Sequence, residues 1–170
     1  MGHGFRTAVL DSQDAYWNIG IPQRIESWRQ AIAQGDHMAQ QGDSDSGLKG
    51  LRVMIIDDSR TIRRTAETLL SREGCDVVTA SDGFEALSKI ADHAPQIIFV
   101  DIMMPRLDGY QTCALIKNNQ TFKNVPVIML SSKDGLFDKA RGRIVGSVQY
   151  LTKPFTREEL LGAIRTYVNA

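Results

Sequence analysis

Cysteine is scarce. The two present in 170 residues, Cys75 and Cys113, are too few and too widely separated for a disulfide framework or a zinc site, and both are expected as reduced, buried thiols. The three histidines, His3, His37 and His93, show no metal-ligand spacing and read as surface residues without a catalytic role. Net charge is missing too. Twenty basic and twenty acidic side chains cancel, which removes any bulk attraction to nucleic acid or anionic lipid. No apolar run approaches the roughly 20 residues that span a bilayer, and Met1 to Leu10 lacks a basic stretch followed by an apolar core. These absences argue against membrane insertion, export and direct nucleic-acid binding, and a cytoplasmic location is expected.

What remains, 42% hydrophobic and 24% charged residues, suits one ordinary soluble domain with an appendage. The composition changes near residue 47. Residues 1–47 carry three basic and six acidic side chains, and residues 48–170 carry 17 and 14. Gln40 to Gly47 is polar and glycine-punctuated, the character of a flexible linker. Before it, Ile25, Trp28 and Ile32 share one helical face, but so short a helix is marginal alone. The leader therefore reads as poorly ordered rather than as a docking peptide anchored by Trp17 or Trp28. The domain is expected over 48–170.

From Leu51 short apolar runs alternate with helical periodicity, without an internal repeat. The strands are expected at 51–56, 76–80, 97–100, 127–130 and 148–151. Ile97 to Val100 and Val127 to Leu130 are apolar on both faces, which places them inside a sheet covered on each side, whereas the alternating last run suits an edge. Ser59 reads as an N-cap followed by the stripe Ile62, Ala66, Leu69 and Leu70, with Gly74 as a left-handed stop. Thr156 and Glu159 form a capping-box pattern ahead of Leu160, Leu161, Ile164 and Val168. Five strands and five helices in this alternation make a doubly wound α/β domain with a parallel sheet, whose ligands bind beyond the carboxyl ends of the strands.

Polar groups collect at those ends. Asp57 and Asp58 follow the first strand, Asp101 ends the third, Ser131 the fourth, and Lys153 with Pro154 comes after the fifth. An isolated Asp-Asp pair is usually a solvated turn. Here three carboxylates meeting in one crevice repel unless a cation intervenes, and hard oxygen ligands without His or Cys select magnesium. Such an ion keeps positions open for phosphate oxygens. Lys153 is then a point charge for one phosphoryl oxygen, Ser131 a hydrogen-bond donor to another, and Asp101 the nucleophile that accepts the phosphoryl group.

With these positions in view, the chain resembles the receiver domains of two-component response regulators over residues 51–168. Ile55 to Ser59 (IIDDS) matches the acidic pair, Val100 to Gly109 (VDIMMPRLDG) the phosphoacceptor loop, and Tyr150 to Phe155 (YLTKPF) the switch lysine. The resemblance implies a flavodoxin-like sheet of order 2-1-3-4-5. It implies that Asp58, Asp101 and the backbone carbonyl of Met103 hold Mg2+, with Asp57 acting mainly through water, and that Pro154 follows a cis peptide bond. It also implies that Ser131 moves toward the phosphoryl group on activation while Tyr150 turns inward, and that Met103 and Ser132 tune the lifetime of the aspartyl phosphate.

Three further stretches, 61–70, 108–119 and 131–140, resemble stand-alone receivers of the chemotaxis-like systems governing type IV pili and twitching motility. Those proteins start a few residues before the first strand, which makes Met38 a candidate true start. The implied donor is a chemotaxis-type histidine kinase or its phosphotransfer domain. With only Asn169 and Ala170 beyond the last helix, output is expected through binding of a downstream pilus-motor or signalling protein. The docking surface would be the fourth and fifth expected helices and the fifth strand, including Lys139, Arg141, Arg143 and Tyr150. Two other classes remain: a phosphorylation-independent scaffold of receiver fold, and an aspartate-nucleophile phosphatase, which would place an acid where Met103 stands.

Overall fold

A computed structural model describes residues 47–132, 141 and 143–168. The leader, with its helix, Trp17, Trp28 and Met38, lies outside the described residues, as does Lys139. Five strands alternate with helices: β1 (Arg52–Ile56), α1 (Arg60–Arg72), β2 (Asp76–Ala80), α2 (Gly83–His93), β3 (Ile97–Asp101), α3 (Gly109–Asn118), β4 (Val127–Ser131), β5 (Gln149–Thr152) and α4 (Arg157–Val168). The fourth of the five expected helices lies between the fourth and fifth expected strands, within residues 131–147. Of these, 133–140 and 142 are outside the described residues, while Arg141, Arg143 and Ile144 are helical.

All strand pairs are parallel, in the order β2-β1-β3-β4-β5. The apolar strands β3 and β4 are buried along their whole length, and β5 lies at an edge, half-buried over Gln149 and Tyr150. Strand side chains alternate between faces. Val53, Ile55, Phe99, Ile128 and Leu130 therefore share a core with Ala66 and Leu70 of α1 and Leu160 and Ile164 of α4. Met54, Ile56, Ile98, Val100 and Met129, equally buried, point to the opposite layer, where α2 and α3 pack against each other. Each fully buried aliphatic side chain contributes about 1.5–3 kcal/mol relative to exposure, so this double-sided burial is what holds the strands in register.

The helix ends follow local chemistry. The Ser59 hydroxyl accepts from the Ile62 amide, and Gly74 at φ 85° follows the C-cap of α1. Asp108 and Gln111 form a reciprocal box at α3. At α4 the Glu159 carboxylate accepts from the Thr156 amide at 2.7 Å, and the Glu159 amide donates back to the Thr156 hydroxyl. Cys75 and Cys113 are buried free thiols. His93 departs from the surface expectation. It is half-buried at the end of α2, and burial holds its imidazole below the usual histidine range.

Candidate functional site

Register brings the polar residues together. Ile56 pairs with Val100, Asp101 with Leu130, and Ser131 with Thr152, so the residues ending β1, β3, β4 and β5 open onto one rim. Asp57 is fully buried and Asp101 only 3% exposed, while Asp58 is exposed. Carboxylate oxygens of all three lie within 4.8 Å of one another. Lys153 reaches across from the residue after β5 and donates to Asp57 Oδ2 at 3.0 Å and to Asp101 Oδ1 at 2.9 Å. Its own amide donates to the Ser131 carbonyl at 2.6 Å, which ties the lysine to the buried Ser131. The peptide bond from Lys153 to Pro154 is cis.

Burial pushes the Asp101 carboxyl up to about 6. Its hydrogen bond to Lys153 opposes that rise, and the charges of Asp57 and Asp58 add to it. Burial disfavours the Lys153 ammonium, yet hydrogen bonds to Asp101 and Asp57 hold it above the ordinary lysine range. Among the described residues three carboxylates face one ammonium, which leaves an excess of negative charge. A divalent cation with hard oxygen ligands cancels that excess, and the donor set fits one.

Two supports for this cluster are not legible in the motifs. Asp57 Oδ1 accepts from the Ser59 amide at 2.8 Å, and Arg63 donates to the Asp57 and Asp58 carbonyls at 2.7 and 3.1 Å. The only signal for Arg63 is electrostatic. The first turn of α1 lacks an acidic residue, although a helix N-terminus favours anions, and Arg63 turns its guanidinium back onto the loop carbonyls. Tyr110 is the other omission: its hydroxyl lies 2.8 Å from that of Tyr150.

Met103 is 74% exposed. Together with Asp58, Ile102, Pro105, Tyr110 and Arg141 it borders an open cavity of about 490 Å³. Ser132 is exposed beside Ser131. Of the basic residues expected on the docking surface, Arg141 and Arg143 are exposed, and Arg143 lines a second depression with Tyr150.

Gly109 packs against the loop that follows Asp101. Its amide donates to the Ile102 carbonyl at 3.0 Å, and an added Cβ would run into the Asp101 carbonyl oxygen and lie 2.8 Å from Ile102 Cα. These obstacles are backbone, which cannot rotate aside. Gly109→Ala is therefore expected to lower unfolding free energy by about 1–3 kcal/mol in a urea titration, whereas the same change at Gly162, with open space around it, should not destabilise.

The geometry agrees with known proteins. The family model for the response regulator receiver domain matches residues 53–165. Protein PilG of Pseudomonas aeruginosa is 76% identical over 131 residues, covering 77% of this chain and 93% of that one. Response regulator MprA of a Mycobacterium species is 37% identical over 115 residues, 68% of this chain and 49% of that one. Among solved structures, the chemotaxis protein CheY4 of Vibrio cholerae superposes with TM-score 0.67 at 31% identity, covering 69% of this chain and 98% of that one. The receiver domain of sensor histidine kinase PA1611 of Pseudomonas aeruginosa, with a magnesium ion coordinated in its active site cleft, does so with TM-score 0.66 at 26% identity over 71% and 99%. The acidic rim, the lysine bridge and the strand order have one common explanation: this chain belongs to the response-regulator receiver family.

Proposed function

We propose that the chain is a phosphorylation-controlled signalling protein of the cytoplasm whose receiver accepts a phosphoryl group on Asp101. The donor is the phosphohistidine of a chemotaxis-type histidine kinase or its phosphotransfer domain. The observation that carries this reading is Lys153 hydrogen-bonded to both Asp57 and Asp101 within a cluster of three carboxylates.

An Asp101 carboxylate oxygen forms the new P–O bond as the donor's P–N bond breaks, and the electron pair returns to the donor imidazole. Asp58, Asp101 and the Met103 carbonyl would hold Mg2+, with Asp57 acting through water. The ion supplies positive charge that offsets repulsion between the site and the incoming phosphoryl oxygens. Lys153 pairs with one of those oxygens and the Ser131 hydroxyl donates to another, so Lys153 exchanges a carboxylate partner for a phosphoryl partner. That exchange draws on β4 and β5 at once, because the Lys153 amide is bonded to the Ser131 carbonyl. Tyr150, two positions before Thr152 on β5, carries the change to the edge of the sheet. Self-phosphorylation and loss of phosphate are the only reactions assigned to the chain.

Output follows from binding at the β5 edge, where Arg141, Arg143 and Tyr150 face a downstream pilus-motor or signalling protein. Assignment to type IV pili and twitching motility rests on the similarity to PilG over most of that protein's length. A small-molecule phosphatase is disfavoured because Met103, two residues after Asp101, offers no acid or base.

Magnesium-dependent transfer of labelled phosphate from such a kinase, followed by capture of a partner that strengthens on phosphorylation, tests this function. Equal labelling in the presence of a chelator would contradict it, and partner capture indifferent to phosphate would favour a scaffold. Lifetime offers a separate test. With an apolar, exposed Met103 and Ser132 beside the site, no acid or amide at 103 orients an attacking water. Met103→Asn should therefore lose phosphate several-fold faster than the parent once the donor is removed, and unchanged or slower loss would contradict this role.

A further inference from the structure

Tyr110 occupies the second position of α3 and is 4% exposed. Its hydroxyl sits 2.8 Å from the hydroxyl of Tyr150, on a strand forty residues away. The Arg141 guanidinium carbon lies 4.6 Å from the Tyr110 ring centroid. The two phenols stand between two surface depressions. One is bordered by Asp58, Met103, Tyr110 and Arg141; the other by Arg143, Val148, Gln149 and Tyr150. Tyr110 thus joins the helix that opens beside the phosphoacceptor loop to the outermost strand of the sheet.

The contact is asymmetric in what it restrains. A cation over the face of an aromatic ring is attracted to its π density, which helps seat the Tyr110 ring, while either hydroxyl of the pair can donate. Tyr110 has little freedom to leave, since its ring is buried and Arg141 covers it. Tyr150 is on an edge strand and half-buried, so its ring has solvent beside it as an alternative. The bond therefore restrains Tyr150 far more than Tyr110.

We propose that Tyr110 is a positioning residue that latches the Tyr150 ring against α3, with Arg141 seated on the Tyr110 ring completing the latch. The proposal rests on the reading of Tyr150 as the residue that reports the state of Asp101 at the β5 edge. It adds that Tyr150 is held by a bond within the protein before any phosphoryl group arrives. Part of the output surface is then preformed, and phosphorylation raises partner binding from a substantial basal level rather than from none.

A net hydroxyl hydrogen bond corresponds to a population change of about fivefold, and a ligand or modification shifts such an equilibrium only by its differential interaction with the two states. Tyr110→Phe keeps the ring and the Arg141 contact and removes only the hydroxyl. The chain has four tyrosines, few enough for ring-labelled tyrosine spectra of the full chain to be assigned by single Phe substitutions at each.

In the unphosphorylated Tyr110→Phe protein the Tyr150 ring signal should move toward the position of a solvent-exposed tyrosine, corresponding to a latched population lowered about fivefold. Labelling of Asp101 by acetyl phosphate should stay within a factor of two of the parent. Arg141→Gln should shift the Tyr150 signal in the same direction by less. A Tyr150 signal unchanged in both variants would overturn the latch. A signal that moves in Tyr110→Phe but does not respond to phosphorylation in the parent would support the latch and instead contradict the reporter role of Tyr150.

Discussion

Asp101→Asn is expected to abolish phosphoryl acceptance and, in metal-free buffer at pH 8, to leave the domain more stable than the parent. The first effect would follow from losing the carboxylate proposed as the nucleophile. The second follows from its surroundings. Burial and the charges of Asp57 and Asp58 outweigh the Lys153 hydrogen bond and push the Asp101 carboxyl from 3.8 up to about 6. The folded state then binds the proton more tightly than the unfolded chain, so parent stability falls as pH rises from the unfolded carboxyl's range through about 6. Each unit of such a shift is about 1.4 kcal/mol. Asparagine escapes that penalty but forfeits part of the interaction with Lys153, leaving a net gain of about 1–2 kcal/mol. Urea unfolding at pH 8 and pH 5 measures it, and the gain should shrink at the lower pH. Millimolar Mg2+ should raise the stability of the parent while raising that of Asp101→Asn less, because the variant has lost a ligand. A variant less stable than the parent at pH 8 without metal would mean that Asp101 is not held against its charge.

Lys153→Met acts in the opposite sense. The ammonium bridges two carboxylates, one of them fully buried, and methionine fills the space without charge. Removing one partner of a buried ion pair costs about 3–5 kcal/mol, because the remaining charge is left unpaired. The loss should be largest at pH 8 without metal and should diminish as pH falls toward about 6, because Asp101 without the lysine that lowers its pKa takes up a proton at a higher pH than in the parent. Phosphotransfer should slow by about a hundredfold or more, the usual consequence of deleting one preorganised donor to a developing oxyanion. A loss below about 1 kcal/mol at pH 8 would show that the bridge is not structural.

The strand ends were readable because burial dictates them. Ile97 to Val100 and Val127 to Leu130 have no polar face, so Asp101 and Ser131 mark where each run meets the rim, and the register observed in the sheet puts them side by side. The caps at Ser59 and Thr156 were readable for an equally local reason. The contact of Lys153 with Asp57 was less so. Motif resemblance implies a water-mediated metal role for Asp57, and the structure adds the lysine and the Ser59 amide as direct partners of its buried carboxylate. Tyr110 reads as an ordinary core aromatic at the start of a helix, and nothing local announces a hydroxyl partner forty residues away. His93 escapes notice for the same cause, because its surroundings are made by other elements. Arg63 differs: its partners are the carbonyls of Asp57 and Asp58 just ahead of its own helix, and no motif marks an arginine that folds back onto them. The leader and residues 133–140 fall outside the described residues, so the docking role of Lys139 stands as a proposal.

The proposed function requires that Asp101 carry the phosphoryl group. An acyl phosphate is reduced by borohydride to the alcohol, which converts the modified aspartate to homoserine. After phosphotransfer in Mg2+ and borohydride treatment, peptide mass spectrometry should find homoserine at position 101 and aspartate unchanged at 57, 58 and 108. Homoserine at any of those three, or its absence at 101 in protein that has taken up labelled phosphate, would contradict the account.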